Sequence, residues 1–320
     1  MSMTRDKMVG VILAAGKGTR IYPFSESLPK PVLPVCNRPM LEYQIEQMKG
    51  AGIREVLIVI GHLGYSIVDA VGDGTRQGVS IRYVEQRDTL GMAHALGKLE
   101  GVIDSPFLLF LGDIYFTCGD LRPAIDEVLS GEVAANLISK IEDDPEMIKR
   151  NFTILADPDG RVRQVIEKPR YVRNNIKGCG LYIFDQHIFD AIRRTPRTAM
   201  RDEYEVTDSI QILINDGHPV RHRSLVTRDV NLTTPSDLLA INLLALADHG
   251  LRRCIGREVH MPPGATVENS VIGDGVTLHY PSQVRNTLIF SGSSVDNHPT
   301  LNGVIVQGGQ IIPCDGRLIA

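Results

Sequence analysis

Up to about residue 250, short aliphatic runs alternate with stretches whose apolar positions recur at helical spacing. Val9–Leu13, Glu55–Ile60, Ser80–Val84 and Phe107–Leu111 read as buried strands from their aliphatic and β-branched content. Between them, Pro39–Lys49 predicts a helix with Pro in its first turn and Met40, Leu41, Ile45 and Met48 on one face, stopped near Gly52. Further helices are expected around Ser66–Val71, over Gly91–Leu99 and around Asp120–Leu129. Asp157-Pro-Asp-Gly160 marks a turn between two more strands, and Pro235–Ala247 a closing helix. Strands alternating with helices at this spacing predict an α/β fold with a doubly wound, mostly parallel, Rossmann-like sheet.

Beyond Arg252 the period changes. Aliphatic residues fall at Val267, Ile272, Leu278, Val284, Ile289, Val295, Leu301, Val306 and Ile312, in steps of 5, 6, 6, 5, 6, 6, 5 and 6. Gly, Asn, Asp, Ser and Pro fill the intervals. No helix has that period. It is the spacing of a hexapeptide-repeat β-helix with three faces per coil, here about three coils of 17 residues. The expected organisation is therefore a domain over 1–250 followed by a short left-handed parallel β-helix over 251–320.

Composition narrows the function. The net charge of −4 and the absence of Trp argue against a nucleic-acid partner. The apolar runs Val56–Ile60, Phe107–Leu111 and Leu238–Ala247 all fall short of the roughly 20 residues of a membrane span. Met1–Lys7 has no apolar core of a signal peptide, and five scattered Cys contain no Cys-x-x-Cys pair. Both point to a cytoplasmic protein with reduced thiols, without a zinc site.

The first strand runs into Ala14-Ala15-Gly16-Lys17-Gly18-Thr19-Arg20, a turn that exposes backbone N–H groups to an anion. It is not a dinucleotide fingerprint, because Ile21 stands where the third Gly belongs. Nor is it a P-loop, because Lys17 is followed by Gly18. What remains is Gly-x-Gly-Thr-Arg followed by Pro29-Lys30-Pro31-Val-Leu-Pro34, two cations flanking one loop as triphosphate handling requires.

Together, Leu13-Ala-Ala-Gly-Lys-Gly-Thr-Arg20 and Pro29-Lys30-Pro-Val-Leu-Pro34 resemble the signature of the sugar-1-phosphate nucleotidyltransferases. The resemblance extends over nearly the whole chain, since many members carry a C-terminal β-helix. It implies that Ala14, Ala15, Gly16, Gly18, Thr19 and Arg20 bind the nucleotide, Arg20 gripping its outer phosphates, with Lys30 near the reacting phosphates. Gln86-Arg-Asp-Thr-Leu-Gly91 is similar to the segment that reads the base through Gln86 and the Gly91 backbone. This implies a uracil or thymine, hence UTP or dTTP.

Asp113 ends the buried strand Phe107–Leu111, where a doubly wound sheet gathers its ligands. The resemblance makes it a Mg²⁺ ligand; on the residues alone it could instead cap the next helix. The second ligand implied is Asn231, counted back from Thr234-Pro235, with Asp229 two residues earlier as the rival. Glu167-Lys168-Pro169 is similar to the family's Glu-Lys-Pro, which implies that Glu167 holds sugar hydroxyls and Lys168 the sugar phosphate. Gly180 lies in the implied sugar-lining strand, and Glu203–Asp208 in an implied helix start. Two departures stand out. Thr153, in Asn151-Phe152-Thr153, replaces a usual Gly, and Gly178 stands where acetamido-sugar enzymes often carry Asn.

The resemblance implies an enzyme that joins UTP or dTTP to a sugar 1-phosphate, a hexose-1-phosphate such as glucose-1-phosphate, with Mg²⁺, and releases pyrophosphate. Arg20, Lys30, Asp113 and Lys168 are the catalytic candidates. A non-catalytic regulatory homologue would be expected to lose Arg20, Lys30 or Asp113, and all three are present. A hexapeptide-repeat acyltransferase is the other rival, since His260, His279 and His298 recur every 19 residues. That step drifts from the 17-residue coil, and three coils leave little room for an acyl-CoA groove. Solvated corner histidines, and a β-helix used for packing into a homo-oligomer (dimer or tetramer), are expected instead.

Overall fold

A computed structural model describes residues 4–88, 90–198 and 202–315. In chain order the elements are β1 (Val9–Ala14), β2 (Pro34–Val35), β3 (Arg38–Pro39), α1 (Met40–Gly50), β4 (Glu55–Ile60), α2 (Gly64–Val71), β5 (Ser80–Glu85) and α3 (Met92–Gly97). They continue with β6 (Phe107–Leu111), β7 (Ile114–Cys118), α4 (Arg122–Leu129), β8 (Ala135–Ile141), α5 (Pro145–Lys149), β9 (Phe152–Ala156) and β10 (Val162–Glu167). Next come β11 (Ile176–Phe184), α6 (His187–Arg194), α7 (Val206–Asn215), β12 (Val220–Ser224), β13 (Val226–Asn231) and α8 (Pro235–Asp248). No helix among the described residues is long and apolar enough to cross a membrane. The chain divides into two compact units, Met1–Lys17 with Glu42–Asp229, and Gly18–Leu41 with Val230–Ala320.

The first unit is built on a sheet of order β10-β9-β11-β6-β1-β4-β5, with β8 beside β11 and β12 beside β8. Strands β6, β1, β4 and β5 run parallel, as the alternation with helices predicts. The other half is mixed: β11 runs antiparallel to β6, β8 and β9, and β10 antiparallel to β9. The connections 157–161 and 168–175 hold no helix that could carry a parallel crossover, so these strands turn back. On α1, the expected face of Met40, Leu41, Ile45 and Met48 is fully buried. Gly10 on β1 makes this close packing possible, because a Cβ there would lie 2.5 Å from the Met48 sulfur. The sheet's core gathers Val9, Val11, Leu57, Val59, Phe107, Leu109, Tyr182 and Phe184.

In the second unit, α8 starts on a capping box in which Thr234 and Asp237 exchange hydrogen bonds, with Pro235 at the first helical position. The β-helix follows as β14 (Arg253–Ile255), β15 (Thr266–Glu268), β16 (Ser270–Ile272), β17 (Thr277–Leu278) and β18 (Gln283–Arg285), then β19 (Leu288–Ile289), β20 (Ser294–Val295), β21 (Thr300–Asn302), β22 (Val304–Gln307) and β23 (Gln310–Pro313). The expected 17-residue coil is met on all three faces: Cys254 pairs with Val271 and Val271 with Leu288, Val267 with Val284 and Val284 with Leu301, and Leu278 with Val295.

Eight of the nine predicted aliphatic positions form one buried cluster. The ninth, Ile312, departs from the pattern. The chain reverses at Gly308-Gly309, so β23 lies antiparallel on β22 and Ile312 faces Ile305 instead of starting another face. A turn of two glycines supplies the reversal that a continuing coil would not. His260, His279 and His298 are exposed, as expected for corner residues.

Candidate active site

The parallel strands of the first unit end in step. Ala14 lies opposite Ile60, Leu13 opposite Leu111, and Ile60 opposite Glu85. The next residues of each strand therefore meet at one edge: Ala15 after β1, Gly61 after β4, Gln86 after β5, and Gly112-Asp113 after β6. Glycine makes the edge tight. A Cβ on Gly61 would lie 2.8 Å from the Ala15 carbonyl oxygen, and one on Gly112 would lie 2.7 Å from that of Leu13. Ala14 and Ala15 are buried, while Gly16 opens to solvent.

Asp113 occupies a two-residue turn between β6 and β7 and is half-buried. It does not cap α4, whose first turn is met by Asp120 accepting from the Arg122 N–H at 3.0 Å. The turn is held from α1, because the Gln44 amide donates to the carbonyls of Leu111 and Ile114, both at 2.8 Å. These residues flank Gly112-Asp113, so Gln44 clamps the turn that carries the acid. Gln44 is a site residue that the sequence pattern did not reveal. It sits on the buried face of α1, where a polar residue with no apolar reason to be there is the available signal. On the opposite strand, Gly180 has φ +68, and a Cβ there would lie 2.7 Å from the side chains of Leu111 and Ile114. Glycine at that point lets β11 close on the same turn.

Gln86 is 4% exposed, with its backbone N–H on the Ile60 carbonyl at 2.8 Å. Its side-chain amide reaches the Asp88 carbonyl at 3.0 Å and His94 Nδ1 at 3.2 Å. Burial holds His94 below its ordinary pKa, which keeps the ring neutral beside the amide. Gly91 has φ +108, and a Cβ there would fall 2.5 Å from the Tyr204 carbonyl oxygen. The Tyr204 backbone in turn bonds Leu90 and Ala93, so the Glu203–Asp208 segment braces the loop that follows β5. Thr89 in that loop lies outside the described residues.

At the end of β10, Glu167 accepts from the Thr207 hydroxyl at 3.4 Å. Lys168 is exposed and left-handed, with φ +43, and its N–H bonds the Asn151 carbonyl. That conformation is sparsely populated for a non-glycine residue, and more so before a proline. Thr153 is buried, and its hydroxyl is spent on Asn174 Oδ1 at 2.7 Å and the Ile176 carbonyl at 3.2 Å.

The departure at 178 is explained by Phe152, the neighbour of Thr153 on β9. Phe152 lies opposite Gly178, and a Cβ on Gly178 would fall 1.9 Å from the Phe152 ring. The ring fills the space an asparagine would need.

Next along β11, Lys177 is fully buried, 2.8 Å from Asp229 and 3.3 Å from Glu142, while Lys140 lies 2.8 Å from Glu142 and 3.8 Å from Asp229. Burial works against charge on Lys177, yet Asp229 and Glu142 hold its ammonium above its ordinary pKa. The Asp229 carboxylate is thus engaged by lysine. Strand β13, which carries it toward Asn231, pairs with β7, with the Thr117 and Thr227 hydroxyls 2.9 Å apart.

The remaining candidates belong to the second unit. Gly18 has φ +64 and opens a turn of 3₁₀ helix, Thr19–Ile21, that points Thr19 and Arg20 outward and buries Ile21. The Lys30 stem packs on Gly18, 3.1 Å from where a Cβ would stand, and Lys30 is 8% exposed. The glycine therefore makes room for the second cation, bringing together the two halves of the signature. Phe24 from the same segment stacks on Phe290 of the β-helix, with centroids 5.0 Å apart and planes 3° apart.

Residues 9–238 match the nucleotidyl transferase family. A glucose-1-phosphate thymidylyltransferase of Streptomyces griseus is 32% identical over 325 residues, covering 94% of this chain and 89% of that protein. The low-salt glycan biosynthesis nucleotidyltransferase Agl11 of Haloferax volcanii is 35% identical over 77% of this chain and 68% of its own length. Among solved structures, a candidate glucose-1-phosphate thymidylyltransferase from Bacillus anthracis, in complex with sucrose, superposes with a TM-score of 0.65 at 28% identity. The match covers 74% of this chain and 95% of that one. The chain belongs to the nucleotidyl transferase family and is an enzyme of its sugar-1-phosphate class.

Proposed function

We propose that the enzyme transfers a nucleotidyl group from UTP or dTTP to a hexose 1-phosphate such as glucose-1-phosphate, releasing pyrophosphate. The observation that carries this reading is the common edge of β1, β4, β5 and β6, where Ala15, Gln86 and Gly112-Asp113 meet beyond the strand ends. The nucleophile, a sugar phosphate oxygen, is already ionised at neutral pH, so no side chain need act as a base. The protein's task is positioning and charge neutralisation. Arg20 and Lys30 hold the triphosphate oxygens and the leaving pyrophosphate. Ala14, Ala15, Gly16, Gly18 and Thr19 present backbone to the nucleotide, and Gln86 with Gly91 reads the base. Glu167, Lys168 and Gly180 receive the sugar phosphate, while Thr153, expected beside them, keeps its hydroxyl on Asn174 and the Ile176 carbonyl and shapes the strand behind them.

Asp113 and Asn231 are the residues that would hold Mg²⁺. Among the described residues no group of three or more His, Cys, Asp or Glu side chains could hold a metal ion. One carboxylate and one amide oxygen fit a hard cation that takes few protein ligands and fills its shell with phosphate and water. Mg²⁺ bound there would supply charge neutralisation of the phosphates. The engagement of Asp229 by Lys177 favours Asn231 as the second ligand. By function, the division falls at residue 250, with the β-helix of 251–320 serving self-association into a dimer or tetramer.

The test is pyrophosphate release by the purified protein over a matrix of nucleoside triphosphates and sugar 1-phosphates, with and without Mg²⁺. Turnover with UTP or dTTP that stops on chelation is the expected result. A protein that binds these compounds and never turns them over is a regulatory homologue, and the proposal fails.

A further inference from the structure

The Lys177 and Asp229 side chains meet at 2.8 Å with 0% and 2% of their surface exposed. Lys140 and Glu142 complete a cluster of two cations and two carboxylates. Stability alone does not account for such a pair. Burying two charges forfeits their hydration, and apolar side chains of similar volume commonly hold a core as well or better. What a buried pair can fix is a geometry.

Strand β11 lies antiparallel to β6, with Leu181 opposite Phe110. Just upstream, its register on β8 shifts between Gly178 and Leu181. Within that bulge, Gly180 comes against the side chains of Leu111 and Ile114. Lys177 anchors β11 immediately before the bulge. On the other side, β13 pairs with β7. The Gly119 N–H donates to the Leu225 carbonyl at 2.9 Å, and the Thr117 and Thr227 hydroxyls lie 2.9 Å apart, so these strands run antiparallel. Continued in the same register, Asp229 falls opposite Tyr115.

Strands β6 and β7 are consecutive, joined by Gly112-Asp113. The path therefore closes on itself: β11 on β6, β6 through the turn to β7, β7 on residues 226–229 of β13, and Asp229 back to Lys177 on β11. Among the described residues no backbone ladder joins β11 to β13, so the last link falls to side chains. In a buried site the ammonium has no water to turn to, and the distance between the two strands is set by one short bond. An apolar pair in its place could slide.

We propose that Lys177 is a positioning residue for Asp113: its buried bond to Asp229 closes this ring of strands and holds the Gly112-Asp113 turn in the geometry that binds Mg²⁺. The inference rests on the reading of Asp113 as a Mg²⁺ ligand. Lys177 and Asp229 act through the strands and touch neither metal nor substrate.

The test is the double variant Lys177→Met/Asp229→Leu in the full chain, which leaves Lys140 and Glu142 to each other. It is compared with wild type by denaturant unfolding, by amide hydrogen exchange of the peptide covering residues 111–116, and by the Mg²⁺ concentration giving half-maximal pyrophosphate release. The variant should unfold no earlier than wild type. Its turn amides should exchange at least about tenfold faster, and its half-maximal Mg²⁺ should rise about tenfold to a hundredfold. Asp229→Asn keeps the volume and leaves Lys177 its Glu142 partner, so it should show the same two changes to a smaller degree and decides the matter if the double variant does not fold. Wild-type exchange of the turn in these variants would overturn the proposal, as would faster exchange with an unmoved Mg²⁺ requirement. Asp113→Asn separates the two layers. If it loses turnover while the other variants match wild type, the positioning role alone has failed. If it turns over within tenfold of wild type, the metal reading has failed and the proposal falls with it.

Discussion

The two units use left-handed backbone under different rules. In the β-helix such residues come in series. Glu258, Gly275 and Gly292 stand 17 apart, as do Asn269, Asn286 and Gly303. Each series is one corner of the coil repeated, and the asparagines bond up the stack, Asn269 to Asn286 at 2.7 Å and Asn286 to Asn302 at 3.0 Å. In the sheet unit most positive φ angles are ordinary turns and helix ends, but Gly91, Lys168 and Gly180 are singular. Gly91 lies in the loop proposed to read the base, Lys168 in the segment proposed to hold the sugar phosphate, and Gly180 against the Asp113 turn. A strained conformation that recurs with the fold's own period belongs to the fold. One that occurs once, beside converging polar groups, points to a site.

If that contrast is right, damage to the sheet edge should remove chemistry, while damage to a repeated corner should be diluted over its neighbours. The largest effect is expected from Asp113→Ala. Turnover should fall by about four orders of magnitude, about 5.5 kcal/mol, with an unchanged circular dichroism spectrum. Turnover within tenfold of wild type would remove Asp113 from the metal site.

Next is Lys177→Met, which strands the buried Asp229 carboxylate. Denaturant unfolding should show a loss of about 3–5 kcal/mol, largely recovered when Asp229→Leu is added. If the single variant is as stable as wild type, the buried network is not holding β11 to β13.

A smaller change is expected from Gln44→Leu, which releases the Asp113 turn without touching substrate. Apparent Mg²⁺ affinity should weaken about tenfold to a hundredfold at nearly constant stability. An unmoved Mg²⁺ titration would make Gln44 a packing residue only.

The smallest effect should come from Asn286→Gly, at most about 1 kcal/mol by thermal unfolding, since glycine keeps the corner and loses only the ladder bonds. A loss several times larger would mean that the corners act together, and the contrast would need redrawing.

Much of this architecture is legible in the chain. The strands Glu55–Ile60 and Phe107–Leu111 match their predicted bounds, because buried strands of a parallel sheet are continuous apolar runs. The β-helix is legible because each coil restates the last. The antiparallel half of the sheet was less so, since nothing local in Ile176–Phe184 states the direction of its neighbours. Of the candidate site, residues carried by the motif, such as Arg20 and Lys30, could be named from the sequence through the resemblance of their segment. Gln44 and Lys177 could not. Each looks like a solvated polar residue until the partner, 67 or 52 positions away, is brought against it. The link between Phe152 and Gly178 is of the same kind, since the irregularity at Gly178 becomes a contact only across paired strands.

The reversal at Gly308-Gly309 also bears on how this solenoid stops. An open parallel coil presents the edge on which the next coil, or the coil of another molecule, would add. With β23 laid back antiparallel on β22, that edge no longer offers the parallel 17-residue template on the face that ends there. On that face the hairpin replaces the parallel repeat by a change of strand direction.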